Sequence, residues 1–151
     1  MNRVELQEMA EARVKDAKAL LDGGRWEFAY YTAGYAVECG LKACVLARMI
    51  HTGWVFQEKW EAKVCLTQDL GKLIDLAGLR DELNNQLATS AAATTALGGP
   101  PSGAFAGYWG KVLSWKVESR YQPRAEAEAR GLYEAITLEP DGVLPWIKNY
   151  W

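Results

Sequence analysis

From Trp26 to Met49 the chain contains no proline, and along this run Ala29, Ala33, Ala36, Gly40, Ala43 and Ala47 recur at alternating spacings of four and three. That periodicity places every one of them on a single face of an α-helix, where side chains this small let a neighbouring backbone approach closely. Tyr31, Tyr35, Leu41 and Leu46 fill the other directions, so the helix is apolar on nearly all sides and must lie at the centre of whatever it builds. A helical glycine costs up to ~1 kcal/mol relative to alanine. Gly34 and Gly40 therefore point to close contacts on this helix.

The flanking sequence supplies partners for such a helix. Residues 3 to 21, RVELQEMAEARVKDAKALL, set Leu6, Ala10, Ala17, Leu20 and Leu21 on one stripe before Gly23-Gly24 ends the pattern. HTGWVFQEKWEAKVCL, residues 51 to 66, reads as a connector pinned to the bundle by Trp54, Phe56 and Trp60. Thr67 is then expected to cap a short third helix, QDLGKLIDLAGL, with Asp69 near its positive end and an apolar face of Leu70, Leu73, Ile74 and Ala77. Arg80 to Leu87 is expected to add a turn or two to it, and GGPPSG, residues 98 to 103, to be loop and the most mobile part. Helical spacing restarts over Ala104 to about Ser119 through Tyr108, Trp109, Val112 and Trp115, and it stops at RYQP. Pro123 opens PRAEAEARGLYEAI at a position where a helix tolerates proline, and VLPWIKNYW adds a final turn or two. No stretch alternates as a strand does. The expected architecture is an all-α, up-and-down antiparallel bundle of about five or six helices, forming a single domain over residues 1–151.

Composition removes several functions. A net charge of −2 and a pI near 5.5 leave no bulk positive field with which to grip nucleic acid, although a local basic patch remains open. Cys39, Cys44 and Cys65 form an odd set with no CxxC spacing and a single histidine beside them, a pattern that argues against a disulfide framework or a zinc site. We therefore expect no metal, no cofactor and no disulfide, with Cys39 and Cys44 as core residues. The N-terminal MNRVELQEMAEAR carries no apolar export segment, and no run is long enough to span a bilayer, so the expected location is the cytoplasm with no membrane partner. Seven tryptophans and the small-residue helix face suggest a homodimer.

RVKDAKALLDGGRWEFAYYTAGYAVECGLKACVLARM, followed by LTQDLGKLIDLAGL, WKVESRYQP and GVLPWIKNYW, resembles the HEPN domain in its branch of small single-domain prokaryotic proteins. The resemblance implies a helical bundle, commonly dimeric, often encoded beside a nucleotidyltransferase or acting in toxin–antitoxin and defence systems; some members cleave RNA. The family's ribonucleases carry an arginine followed four to six residues later by histidine. Here His51 is the only histidine, and Arg48 precedes it by three positions. Where similar proteins often open the third helix with Thr-His-Asp-Leu, this chain reads Thr67-Gln68-Asp69-Leu70. A glutamine donates and accepts hydrogen bonds but takes no proton.

The candidate site residues are Glu38, Lys42, Gln68, Asp69, Glu118, Arg120 and Tyr121, with no catalytic residue among them. Glu38 and Lys42 have the favourable i,i+4 orientation, contributing ~0.3–0.5 kcal/mol if exposed. On so apolar a helix they suit either a structural network with Arg13 or Arg120, or direct contact with a ligand. Arg120 can reach a phosphate and Tyr121 can stack on a base, or Glu118 and Arg120 can pair to shape the turn. Arg13 and Asp16 are expected to face the bundle or pair, His51 to end a helix, and RAEAEAR, residues 124 to 130, to form a solvated helix face. The expected function is a non-catalytic binding module for a nucleotide, an RNA or a partner nucleotidyltransferase. The alternative is a divergent metal-independent ribonuclease in which Glu118 or Tyr121 beside Arg120 replaces the histidine.

Overall fold

The computed structural model describes residues 1–52, 66–96 and 105–151. Trp54, Phe56, Trp60, Cys65 and the GGPPSG segment, on which several expectations fell, lie outside them. Among the described residues the chain forms seven α-helices and no strand, which makes it the expected all-α bundle.

Helix α1, Arg3–Asp22, starts from a reciprocal cap. The Asn2 side chain accepts from the Glu5 amide at 2.9 Å, and the Glu5 carboxylate accepts from the Asn2 amide at 2.8 Å. After Gly23 and Gly24 the chain reverses into α2, Trp26–Thr52, and the two helices pack along one another as a hairpin. Helix α2 is the axis of the fold, touching α1, α3 (Leu70–Ala77), α6 (Glu126–Thr137) and α7 (Val143–Ile147). Its small face is spent inside the monomer: Ala29, Ala33, Ala36 and Ala43 are buried, and Gly40 lies against Leu144 and Ile147 of α7. Gly34 is the tightest point. A Cβ there would fall inside the Trp115 indole, so only glycine lets that ring lie on the helix backbone.

Three boundaries differ from the sequence reading, each for a local reason. Asp69, not Thr67, caps α3, its Oδ1 accepting from the Lys72 amide at 3.0 Å, while Thr67 Oγ1 accepts from the Asp69 amide at 3.2 Å. The helix after α3 is a separate one, α4 (Arg80–Ala96), because Gly78 adopts a left-handed φ of 71°. There the Gly78 and Leu79 amides turn back to Asp75 and Ile74 in a terminating motif. The guanidinium of Arg48 holds the carbonyls of Asp75 and Leu76 at 3.2 and 2.9 Å, closing the same helix end from α2. Finally, α5 (Phe105–Leu113) stops well before Ser119. Its last turn closes with a Trp115-to-Val112 backbone bond, the chain carries Trp115 down onto Gly34, and a separate 3-10 turn, Val117–Tyr121, follows. Burial of one indole outweighs continued helical spacing. Phe105, Trp109 and Trp146 pack ring against ring at centroid distances of 5.3 to 6.5 Å, joining α5 to α7.

Candidate functional site

Tyr31, Tyr35, Glu38 and Lys42 are spaced four, three and four apart, so α2 presents them as one stripe. Tyr31 and Tyr35 stack with centroids 6.3 Å apart. Beyond them Lys42 Nζ donates to Glu38 Oε1 at 2.7 Å. The carboxylate is 1% exposed and the lysine side chain 24%, so this ion pair has one foot in the core and one at the surface. Glu38 Oε2 is also buried and has no hydrogen-bond partner among the described residues. An acceptor left unmet in this way carries a desolvation penalty of about 1–3 kcal/mol, more when charged. Together with Tyr35, Cys39, Leu6 and Leu46 the pair lines a largely apolar cleft of about 250 Å3.

The surroundings of Glu38 keep its neighbours protonated. Burial pushes the Cys39 thiol up to about 11, and the nearby Glu38 charge adds to the effect. The Tyr35 phenol is likewise raised, by burial first and then by Cys39 and Glu38; its hydroxyl points to Met9 Sδ at 3.6 Å. A neutral thiol is a poor nucleophile. The chemistry the cleft offers is hydrogen-bond acceptance at Oε2, a cation at Lys42 and aromatic surface at Tyr35, on which Tyr31 stacks.

The other candidates lie elsewhere. Gln68, Asp69 and Glu118 line a second, larger cavity of about 450 Å3 together with Trp115 and Lys116. Asp69 is already committed as the cap of α3. Arg120 stands over the Tyr31 ring at 6.0 Å and over Tyr121 at 4.8 Å. No ion pair joins Glu118 to Arg120 among the described residues; the turn is closed instead by Ser119, whose Oγ accepts from the Lys116 amide at 3.2 Å. The seven residues therefore do not ring one pocket. Tyr31 connects their groups, stacking on Tyr35 toward the first cleft, lying 5.9 Å from Trp115 toward the second and meeting Arg120 at the rim. Among the described residues the network anticipated around Glu38 contains Lys42 alone, since Arg13 turns to Asp16 at 2.8 Å.

Two signals were underread in the sequence. The four-three-four spacing that joins the two tyrosines to Glu38 was visible, but the tyrosines counted only as packing. RAEAEAR is not simply a solvated face: Ala129 is buried, and Arg124, with only 18% of its side chain exposed, lies 4.2 Å over the Tyr30 ring. His51 sits exposed in the last turn of α2, and Arg48 is engaged at the end of α3.

A helical bundle organised on one central helix, with an acid–base pair sunk into that helix, defines the class of protein. The family model described as the HEPN domain matches residues 4–87, and the chain belongs to that family. The match spans α1 to the first half of α4, including Glu38, Lys42, Gln68 and Asp69. Glu118, Arg120 and Tyr121 lie beyond it. Neither a curated protein nor a solved structure matches the chain. Among the described residues no helix is long and apolar enough to cross a membrane.

Proposed function

We propose that this HEPN domain is a non-catalytic, cytoplasmic binding module, working as a homodimer in a toxin–antitoxin or defence-type system. It would engage a nucleotide, free or within RNA, or a partner nucleotidyltransferase through the Tyr31–Lys42 stripe and Arg120. The observation that supports this most is the buried Glu38 Oε2, unpartnered at the edge of an open cleft. A ligand N–H or O–H that reached it would relieve a cost the folded protein otherwise carries. Lys42 and Arg120 suit phosphate oxygens, and the tyrosines suit the face of a base. The small face of α2 no longer argues for the dimer, because it is filled from within the monomer; that reading rests on the family.

The test is calorimetric titration of the purified protein with nucleoside mono- and triphosphates and a short single-stranded RNA, for wild type and Lys42→Ala. Saturable binding weakened by the substitution supports the module. Metal-free cleavage of RNA by the wild type that disappears in Arg120→Ala would instead establish the ribonuclease. A monomeric mass by light scattering at micromolar concentration would remove the dimer.

A further inference from the structure

A separate cavity of about 240 Å3 opens between the end of α5 and the first turns of α6, lined by Tyr30, Lys111, Ser114, Arg124, Glu128 and Leu132 among others. Four hydrogen-bonding or cationic side chains from three parts of the chain converge there. The Arg124 guanidinium carbon lies 4.2 Å over the centroid of the Tyr30 ring, with one terminal nitrogen on Gln122 at 2.8 Å and the other on Glu128 at 3.2 Å. The Arg124 Nε is buried without a partner among the described residues. Ser114 Oγ donates to the Lys111 carbonyl at 2.6 Å and stands 3.5 Å from the Tyr30 hydroxyl. With the Ser114 proton spent on that carbonyl, Tyr30 is the donor in the long contact to Ser114 Oγ, a weak bond that a closer acceptor entering the cavity would replace. Lys111 Nζ reaches across to Gly131 on α6 and has no ion pair among the described residues.

The single carboxylate in the wall does not oppose an anion as strongly as its charge suggests. Both Glu128 oxygens are occupied, Oε1 by Arg124 and Oε2 by the Ala125 amide at 2.9 Å, and its charge is balanced by the arginine it holds. The excess is the positive charge of Lys111. Ala125, at the cap position of α6, contributes no side-chain acceptor that would compete for it. The cavity is too small for a whole nucleotide but roomy for a tetrahedral oxyanion, with Leu132 closing its apolar side. We propose that this cavity is a second binding site, separate from the Glu38 cleft, for a phosphate group held by Lys111, Arg124 and the Tyr30 hydroxyl. Ammonium, guanidinium and phenol together are the donor set that phosphate oxygens take.

The proposal is tested by two-dimensional amide and arginine-side-chain NMR of the full chain, titrated at constant ionic strength with inorganic phosphate and, separately, with adenosine monophosphate. Saturable shifts at Lys111, Ser114, Gly131 and the Arg124 Nε–H group are expected with phosphate, weakened roughly tenfold or more in Lys111→Met. Lys111 is exposed, so that variant is expected to fold; Arg124→Gln, checked by its far-ultraviolet circular dichroism, gives a second reading. Shifts with phosphate alone identify a free oxyanion as the ligand, and shifts with both identify a phosphate carried on a larger molecule. No saturable shift with either, shifts unchanged in Lys111→Met, or shifts confined to Glu38 and Lys42 would overturn the site. The last result would leave the Glu38 reading standing.

Discussion

Glu38 and Lys42 form a half-finished pair: Oε1 is bonded to Nζ at 2.7 Å, while Oε2, also buried, has no partner among the described residues. An ion pair placed only for stability would be expected to satisfy both oxygens, because desolvation of a carboxylate is repaid only when its lone pairs are met. The free oxygen is the best physical reason to regard this helix as more than scaffold.

Removing the lysine isolates that carboxylate. Breaking a fully buried pair costs about 3–5 kcal/mol, but Lys42 is 24% exposed and water can replace part of it. Lys42→Met is therefore expected to destabilise the fold by about 1–3 kcal/mol in urea titrations. Adding Glu38→Gln removes the charge along with its partner, and the double variant is expected to be more stable than Lys42→Met alone. A Lys42→Met midpoint equal to that of the wild type would show that Glu38 does not depend on its partner.

Gly34 and Trp115 give a sharper packing test. The indole fills the space a Cβ would need, so Gly34→Ala must displace the ring or the helix, an overpacking cost of about 1–3 kcal/mol. That loss occurs although alanine is the better helix former. In a Trp115→Leu background the same substitution is expected to cost less, and the difference between the two backgrounds measures the contact. Equal costs in both would mean the strain lies elsewhere.

The axis of the fold was legible because its signal is strictly local: a small residue every third or fourth position on α2 can mean only a closely approached face. What approaches it was not legible. The face suggested a second copy of the chain, but Leu144, Ile147 and Trp115 cover Gly40 and Gly34 from within, and these are contacts between residues more than a hundred or about eighty positions apart. For the same reason the helical spacing through Trp115 overruns the helix itself, whose end is set by a distant glycine. At the site, the i,i+4 geometry of Glu38 and Lys42 followed from spacing alone. The parting of Gln68 and Asp69 from them, into the cavity lined by Trp115, depends on how α3 docks and has no signature in the chain.

The start of α3 separates two readings of one short stretch. Asp69 accepts from the Lys72 amide, whereas Thr67 accepts only from Asp69 itself. Asp69→Ala is expected to cost about 0.5–2 kcal/mol, the range for loss of a helix cap, and Thr67→Ala less than about 0.5 kcal/mol. Thermal unfolding of the two variants checks the order. The reverse order would return the cap to Thr67 and leave Asp69 available to a ligand in the neighbouring cavity.

The buried thiols predict how stability and reactivity change at high pH. Burial raises Cys39 to about 11 and Cys44 to about 12, from an ordinary value of 9.0. Folding thus favours their protonated form: that contribution is fully present below pH 9.0, and it is lost as pH rises through the unfolded value toward about 11 and 12. A protein carrying Cys39→Ala and Cys44→Ala should lose less stability than the wild type between pH 8.5 and 10.5, on the order of one to two pH units around the unfolded thiol value. In a Cys65→Ser background at pH 8, an aromatic disulfide reagent should titrate neither remaining thiol in the native state and both in denaturant, because the thiolate is the reactive form. Rapid native reaction of Cys39 would mean that its thiolate is accessible beside Glu38, and the cleft would then be a more reactive place than its burial implies.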